Sequence, residues 1–221
     1  MSEDPWAGMY ENPWAVKRIQ LAVEMARLTP GGYVLELGCY RHEVKRWLPP
    51  GVAYTGVDQQ AYVPDTVVMD FDRDPLVLLK VPKAIFCLET LEHLKQPELL
   101  LRRLVAYAQA DRIPLILSLP NEATLFHRLR ALTGILDPMA FQPGKHLHLP
   151  NVTQTVRWLE SQGLVIEAMR PYIDLSAAKS THPWVGRLMQ LIPELVWMGL
   201  ARWSPNLFAR GMVYRCTVRQ G

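Results

Sequence analysis

Apolar positions along the chain fall in short runs divided by turn residues, and the first two runs set the frame. Val34, Leu35 and Leu37 close on Glu36-Leu37-Gly38, and Ala53-Tyr54-Thr55-Gly56-Val57 closes on Asp58. This spacing predicts a strand, a glycine turn, a short helix and a second strand that ends in an acid. Further runs predict strands over Thr66–Met69, Lys83–Leu88, Ile113–Leu119, Leu164–Met169 and Met212–Val218. The run at Lys83–Leu88 is nearly all apolar, as a strand buried on both faces is. Val16, Ile19, Leu21, Val23, Met25 and Leu28 recur at roughly helical spacing. Asn12-Pro13 supplies the cap and first helical position ahead of them, and Pro30-Gly31-Gly32 ends the element. Gln96-Pro97-Glu98 opens a long helix that turns Leu99, Leu100, Leu104, Val105 and Ala108 to the sheet. Thr124 to Thr133 and Val152 to Gln162 read as helices, and residues 135–151 as an irregular stretch carrying His146 and His148. The alternation makes one α/β domain over 1–221: a doubly wound, mainly parallel sheet with an antiparallel edge strand, and a helical cap or insertion at about 172–208.

Composition narrows the partners. The 221 residues suffice for a full core, and 49% hydrophobic with 20% charged residues is ordinary globular usage. A formal charge of +3, dispersed along the chain, gives no reason by itself to expect nucleic acid, and none is expected. The acidic start Met1-Ser2-Glu3-Asp4-Pro5 has no signal-peptide pattern, and Cys39, Cys87 and Cys216 lie far apart. Both features suit a cytoplasmic protein with reduced, buried thiols. The apolar segment Trp184–Trp203 is broken by Pro193 and interrupted by Arg187, Glu194 and Arg202, so no membrane span is expected. Its favoured reading is packing of a helical cap. A greasy lid over an apolar substrate, or peripheral membrane contact through 184–203, is the alternative.

The chemistry enters through resemblance. Glu36-Leu37-Gly38-Cys39-Tyr40-Arg41-His42 resembles the cofactor motif of class I S-adenosylmethionine-dependent methyltransferases, E/D-x-G-x-G-x-G. The acid and first glycine are kept, while Tyr40 and His42 stand at the other glycine positions. The resemblance implies a Rossmann-like sheet with S-adenosylmethionine bound beyond the carboxyl ends of the strands. It further implies cofactor contacts from Glu36, Gly38, Cys39, Tyr40, Gln59 and Leu88, with Asp58 accepting from ribose hydroxyls. Asp70 would accept from the adenine amino group and the Phe71 backbone N–H would meet the ring. Read by themselves, Asp70, Asp72 and Asp74 only make a turn. The leading helix would pack on the sheet, with Tyr10 ahead of it as a substrate-side aromatic or a packing anchor.

After the fourth strand comes Glu89-Thr90-Leu91-Glu92-His93, an E-x-x-E-H segment. It is similar to the metal-binding segment of ubiquinone-biosynthesis O-methyltransferases and of methyltransferases acting on the terminal ribose of small RNAs. That similarity implies Glu89, Glu92 and His93, with His146 or His148, around a divalent cation such as Mg²⁺ that would acidify an acceptor hydroxyl. Without a metal, His93 is the general base or a bystander. Pro120-Asn121 after the fifth strand resembles the same group. No Ser-His-Asp order, P-loop or paired Cys-x-x-Cys is present. The expectation is methyl transfer to an oxygen of a small molecule. Tyr40 and His42 motivate the alternative of a catalytically degenerate module that works through binding or a partner. A nicotinamide oxidoreductase would need G-x-G-x-x-G after the first strand, which the chain lacks.

Overall fold

A computed structural model of the chain describes residues 11–76, 80–132, 146–148, 150–174 and 191–219. Strands β1 (Tyr33–Leu37), β2 (Ala53–Asp58), β3 (Val67–Val68), β4 (Ile85–Leu88), β5 (Leu115–Pro120), β6 (Leu164–Tyr172) and β7 (Gly211–Val218) make one sheet in the order β3-β2-β1-β4-β5-β7-β6. The first five pair in parallel. β7 runs antiparallel to both β5 and β6, which puts the antiparallel pairing at one end of the sheet. The described helices are α1 (Pro13–Ala26), α2 (Pro97–Asp111), α3 (Leu125–Leu132), α4 (Val152–Ser161), α5 (Glu194–Trp203) and α6 (Pro205–Phe208). This is the expected α/β, Rossmann-like architecture.

Each face of the sheet carries its own core. Leu35, Leu37, Ile85, Cys87, Leu115 and Leu117 point to the α2/α4 side and pack with Leu100, Leu104 and Leu159. Val34, Phe86 and Ile116 point to the other side, against Ile19, Ala22 and Met25 of α1. Alternate residues of β1, β4 and β5 therefore serve two layers, which is why their sequences read as unbroken apolar runs.

Several boundaries differ from the expected ones. The connection between β1 and β2 holds only a 3₁₀ turn, Val44–Trp47, in place of a short helix. α1 stops at Ala26 because Arg27 takes a left-handed φ of 52°, before Pro30-Gly31-Gly32 is reached. Asn12 sits at the cap position without a side-chain cap bond; its carbonyl accepts from the N–H groups of Ala15 and Val16. β4 begins at Ile85, while Lys83 donates to Thr29 Oγ1 at 2.8 Å. β6 runs on to Tyr172 because β7 pairs with it as far as Gly211. Cys39, Cys87 and Cys216 are free and buried. Among the described residues no helix is long and apolar enough to cross a membrane. Of the apolar segment at 184–203, residues 184–190 lie outside the described residues, as do Tyr10 and Thr133. α5 buries Trp197 and Ala201 but leaves Leu195 (85% exposed) and Trp203 (78%) in solvent, so packing accounts for only one side of it.

Candidate functional site

The parallel strands end on one edge, and there the turns after β1, β2 and β4 enclose a cavity of about 250 Å³. Gly38, Tyr40, Asp58, Gln59, Phe71, Glu89 and His93 line it, all expected site residues. Thr90, Gln60, Tyr62 and Leu94 line it as well and were missed. Gln60 and Tyr62 had a usable signal, since they follow the acid that ends β2.

The first turn shows how the motif survives the loss of two glycines. At the three positions where the family pattern has glycine, φ is 74° at Gly38, 45° at Tyr40 and 60° at His42. The left-handed backbone is kept although two side chains must tolerate it, at a cost on the order of 1 kcal/mol each. Backbone bonds hold the turn. Val57 O accepts from the N–H groups of Gly38 (2.9 Å) and Cys39 (3.2 Å), and Asp58 Oδ2 accepts from Tyr40 N–H at 2.8 Å. A Cβ at Gly38 would stand 2.1 Å from Thr90 Oγ1, so this glycine has no substitute. His42 finds its room in the next strand: a Cβ at Gly56 would lie 2.7 Å from the His42 ring. The His42 ring also meets Thr66 Oγ1 at 3.0 Å. The Tyr40 ring turns to Tyr62, with centroids 4.8 Å apart, and Arg41 lies 5.3 Å over it.

Asp58 keeps its carboxylate at the cavity wall, also accepting from Gln59 N–H at 2.7 Å. Burial raises its pKa, against the pull of the backbone N–H groups of Tyr40, Gln59 and Gln60. Four expected contacts stand back from the cavity lining. Glu36 is buried and accepts a hydrogen bond from the Tyr54 hydroxyl, and burial pushes its pKa up to about 8. Cys39 and Leu88 are packed inside. Asp70 closes a turn, accepting from Asp72 N–H at 3.0 Å with Arg73 at 3.7 Å, because an Asp ahead of a turn satisfies its neighbours' N–H groups. Phe71 alone of that pair reaches the cavity.

At the tip of β4 the E-x-x-E-H segment divides. Glu89, at a left-handed φ of 51°, swings away from the other two residues. Its Oε1 accepts from Tyr172 Oη at 2.6 Å and its Oε2 lies 3.6 Å from Arg18 Nη1. Glu89 therefore stands outside the ligand cluster the sequence suggested, because a buried cation and a hydroxyl already hold it. Arg18 had a signal too: on α1 it shares a face with Ala15 and Ala22, and a charge on an apolar face implies a buried partner.

Glu92, His93 and His146 do come together, with ligand atoms all within 4.8 Å of one another. Glu92 Oε1 is 4.0 Å from Nε2 of each histidine, and the two rings meet edge to face at 4.9 Å. Glu92 is 1% exposed, and neither of its oxygens has a hydrogen-bond partner among the described residues. Burial, then the charge of Glu89, raises its pKa well above the carboxylate range. His146 is oriented by Glu122, which the sequence reading missed: Nδ1 and Oε1 are 2.8 Å apart. Burial works against the charged form of Glu122, but the hydrogen bond and charge of His146, helped by His127, win and lower its pKa. An ionised Glu122 makes His146 Nδ1 the donor, so a neutral ring turns the Nε2 lone pair toward Glu92. An orphaned buried carboxylate facing such a lone pair fits a divalent cation, and the Glu122–His146 bond is the outer support metal-ligating histidines usually have. His148 goes elsewhere; its Nε2 meets Leu94 O at 3.0 Å. Asn121 is a bolt: its Nδ2 donates to Ala209 O at 2.9 Å and fixes the chain around α6 to β5.

Comparison with known proteins bears on this arrangement. A family model described as "Methyltransferase domain" matches residues 13–168, more than half of the chain. A S-adenosylmethionine-dependent methyltransferase from Archaeoglobus fulgidus superposes with a TM-score of 0.58 at 13% identity, over 97% of this chain and 98% of that one. The N-methyltransferase NodS from Bradyrhizobium japonicum, in complex with S-adenosyl-L-homocysteine, gives 0.56 at 12% identity over 100% and 94%. The [4+2]-cyclase SpnF gives 0.58 at 13% identity over 94% and 82%. These likenesses establish the fold, and SpnF is a cyclase on it. No curated protein matches the chain.

Proposed function

The chain belongs to the methyltransferase-domain family of the class I S-adenosylmethionine-dependent type, and on that premise we propose that it transfers a methyl group from S-adenosylmethionine to an oxygen of a small molecule. The observation that carries this is the left-handed backbone at 38, 40 and 42, pinned to Asp58 although two glycines are gone. A turn kept against its own side-chain cost is one that binding would maintain. Bound S-adenosylmethionine supplies an electrophilic methyl carbon.

The chain's residues do the rest. Asp58 accepts from the ribose hydroxyls, and Gln59, Gln60 and Phe71 border the nucleoside end. Glu89, Thr90 and His93 border the other end, where the acceptor must lie in line with the methyl group. That carbon would pass to a lone pair of the acceptor oxygen, with the carbon–sulfur electron pair left on sulfur. The hydroxyl proton would go to the His93 imidazole as general base. If a divalent cation is bound, Glu92, His93 and His146 hold it, and its Lewis acidity takes over the task of acidifying the hydroxyl.

The degenerate reading has one observation in its favour. Tyr40 fills part of the cleft, and about 250 Å³ lies below the usual range for a ligand pocket, about 300–1,000 Å³. Calorimetry decides. Saturable binding of S-adenosylmethionine and of S-adenosylhomocysteine is expected, and absence of heat and of thermal shift with either would favour the binding module. Mn²⁺ titration with activity before and after EDTA separates the two roles of His93: activity that survives chelation, with no Mn²⁺ bound at millimolar concentration, leaves it as base.

A further inference from the structure

α5 departs from the usual pattern of a surface helix, apolar inward and polar outward. Trp197 and Ala201 turn inward, and Trp197 packs with Phe126 of α3 and Phe208 of α6. On the outward side Leu195, Gly199 and Trp203 recur at four-residue spacing, with Val196 beside them, and all four are exposed. No described residue covers the middle of this stripe, since a Cβ at Gly199 would meet nothing within 4 Å. Leu191, just ahead of the helix, and Leu129 and Leu132 on α3 are exposed too. The helix stands at the open edge of the sheet, because α6 follows it and leads into β7 at Gly211, opposite Pro120 at the end of β5.

Beside the stripe a groove of about 870 Å³ lies between α1, β6 and α5. Leu21, Met169, Leu195 and Met198 give it apolar walls, and Lys17, Arg170 and Arg202 bring three cations to it. Arg170 is answered by Glu24 at 2.6 Å. Lys17 and Arg202 are exposed and have no ion pair among the described residues. The other acid on the groove, Glu194, sits in the first turn of α5, where the helix dipole favours it. An occupant must therefore bring apolar surface and negative charge together. Residues 175–190 carry Lys179 and Arg187 and no acid, so they cannot answer Lys17 and Arg202. A second copy is poorly matched, because the stripe is about 15 Å long and about 10 Å wide, against about 800 Å² per partner in a stable interface. An anionic bilayer supplies both properties and needs no matched shape.

We propose that α5 docks the chain on an anionic membrane surface. Leu195, Val196 and Trp203 enter the boundary between headgroups and acyl chains, the depth at which interfacial helices rest and Trp is favoured. Lys17 and Arg202 meet lipid phosphates beside them. Docking stands whether or not the cleft transfers a methyl group, so the test reads binding alone.

The full chain is sedimented with vesicles of phosphatidylcholine, and of phosphatidylcholine mixed with phosphatidylglycerol. Saturable binding to the mixed vesicles is expected, weaker on phosphatidylcholine alone and weakened by salt. Gly199→Glu puts a charge in the middle of the stripe, where the side chain has open space. It should weaken binding about tenfold or more, with the unfolding temperature unchanged or raised, since Glu is the better helix former. Arg202→Gln should weaken binding to the mixed vesicles about fivefold and leave phosphatidylcholine alone unaffected. No binding to the mixed vesicles, or equal binding by Gly199→Glu, would overturn the proposal. A lowered unfolding temperature in Gly199→Glu would also overturn it, because the chain's own residues would then cover the stripe. So would a wild-type dimer, seen by light scattering, that Gly199→Glu dissociates, because a second copy would then be the occupant.

Discussion

At the tips of β1 and β2 the cleft is made of backbone, and at the tip of β4 it is made of buried side chains. Around Gly38, Tyr40 and Asp58 each donor has an acceptor: two N–H groups go to Val57 O and one to the Asp58 carboxylate. Around Glu89 and Glu92, two carboxylates enter the interior a few residues apart. One is matched by Arg18 and Tyr172; the other has no hydrogen-bond partner among the described residues and faces two histidines. A backbone-built region can lose glycines and keep its shape, because the bonds belong to N–H and C=O groups that every residue but proline carries. A side-chain-built region cannot, because each role belongs to one residue type.

Substitutions test that contrast. The largest effect is expected from Arg18→Met, which leaves Glu89 as an uncompensated buried charge; urea unfolding should show a loss of about 3–5 kcal/mol. Little change would mean that the hydroxyls of Tyr172 and Ser118, which donate to Glu89 Oε1 at 2.6 and 3.4 Å, suffice for Glu89. Gly38→Ala strikes the backbone region at its one irreplaceable glycine. A clash with Thr90 together with positive φ should cost about 2–3 kcal/mol, and Thr90→Ala in the same chain should recover part of it, through the clash alone. Asp58→Ala should weaken S-adenosylhomocysteine binding by about 1.5–3 kcal/mol with the fold intact, read by calorimetry against thermal unfolding.

Glu92→Gln tests the unmatched carboxylate through pH. Because burial raises the Glu92 pKa in the fold, its ionisation costs the folded state nothing below the ordinary carboxylate range. As pH rises from about 4.3 the unfolded chain ionises first, and stability falls until the raised folded pKa is passed. Gln does not ionise, so the variant should hold its urea midpoint across that window and exceed wild type at pH 7 by about 1–2 kcal/mol. A parallel pH dependence in both proteins would show that Glu92 ionises in the fold as easily as in the unfolded chain. The smallest net effect on stability is expected from Tyr40→Gly, where relief of the left-handed conformation, about 1 kcal/mol, is offset by loss of the buried ring packed on Tyr62. If cofactor affinity holds or tightens, the ring crowds the cleft; if affinity collapses, Tyr40 is part of the site.

Local pattern made much of this legible. Apolar runs and turn residues placed all seven strands within a few residues, since burial and backbone propensity act over short stretches. Asp58, which ends β2, and Gln59, just after it, were legible from that strand end and line the cavity, whereas Phe71 and His93, which also line it, came only with the family resemblance. Asp70 went to its turn because a short-range bond to Asp72 N–H competes with a ligand.

The chain by itself determined the order of the elements, the edge at which they open, and which acids and histidines stand near that edge. Only the tertiary structure decided how the acids were shared out. Glu89 and Glu92 are three residues apart, but Glu89 is claimed by Arg18 of α1 and by Tyr172, 83 residues further along, while Glu92 falls to the loop that brings His146 to Glu122. Such pairings depend on which distant segments the sheet brings within about 4 Å, and charge–charge contacts of that kind leave no periodicity in a sequence. Periodicity is a record of burial, and burial is decided strand by strand. The matching of a buried charge is decided by the whole fold.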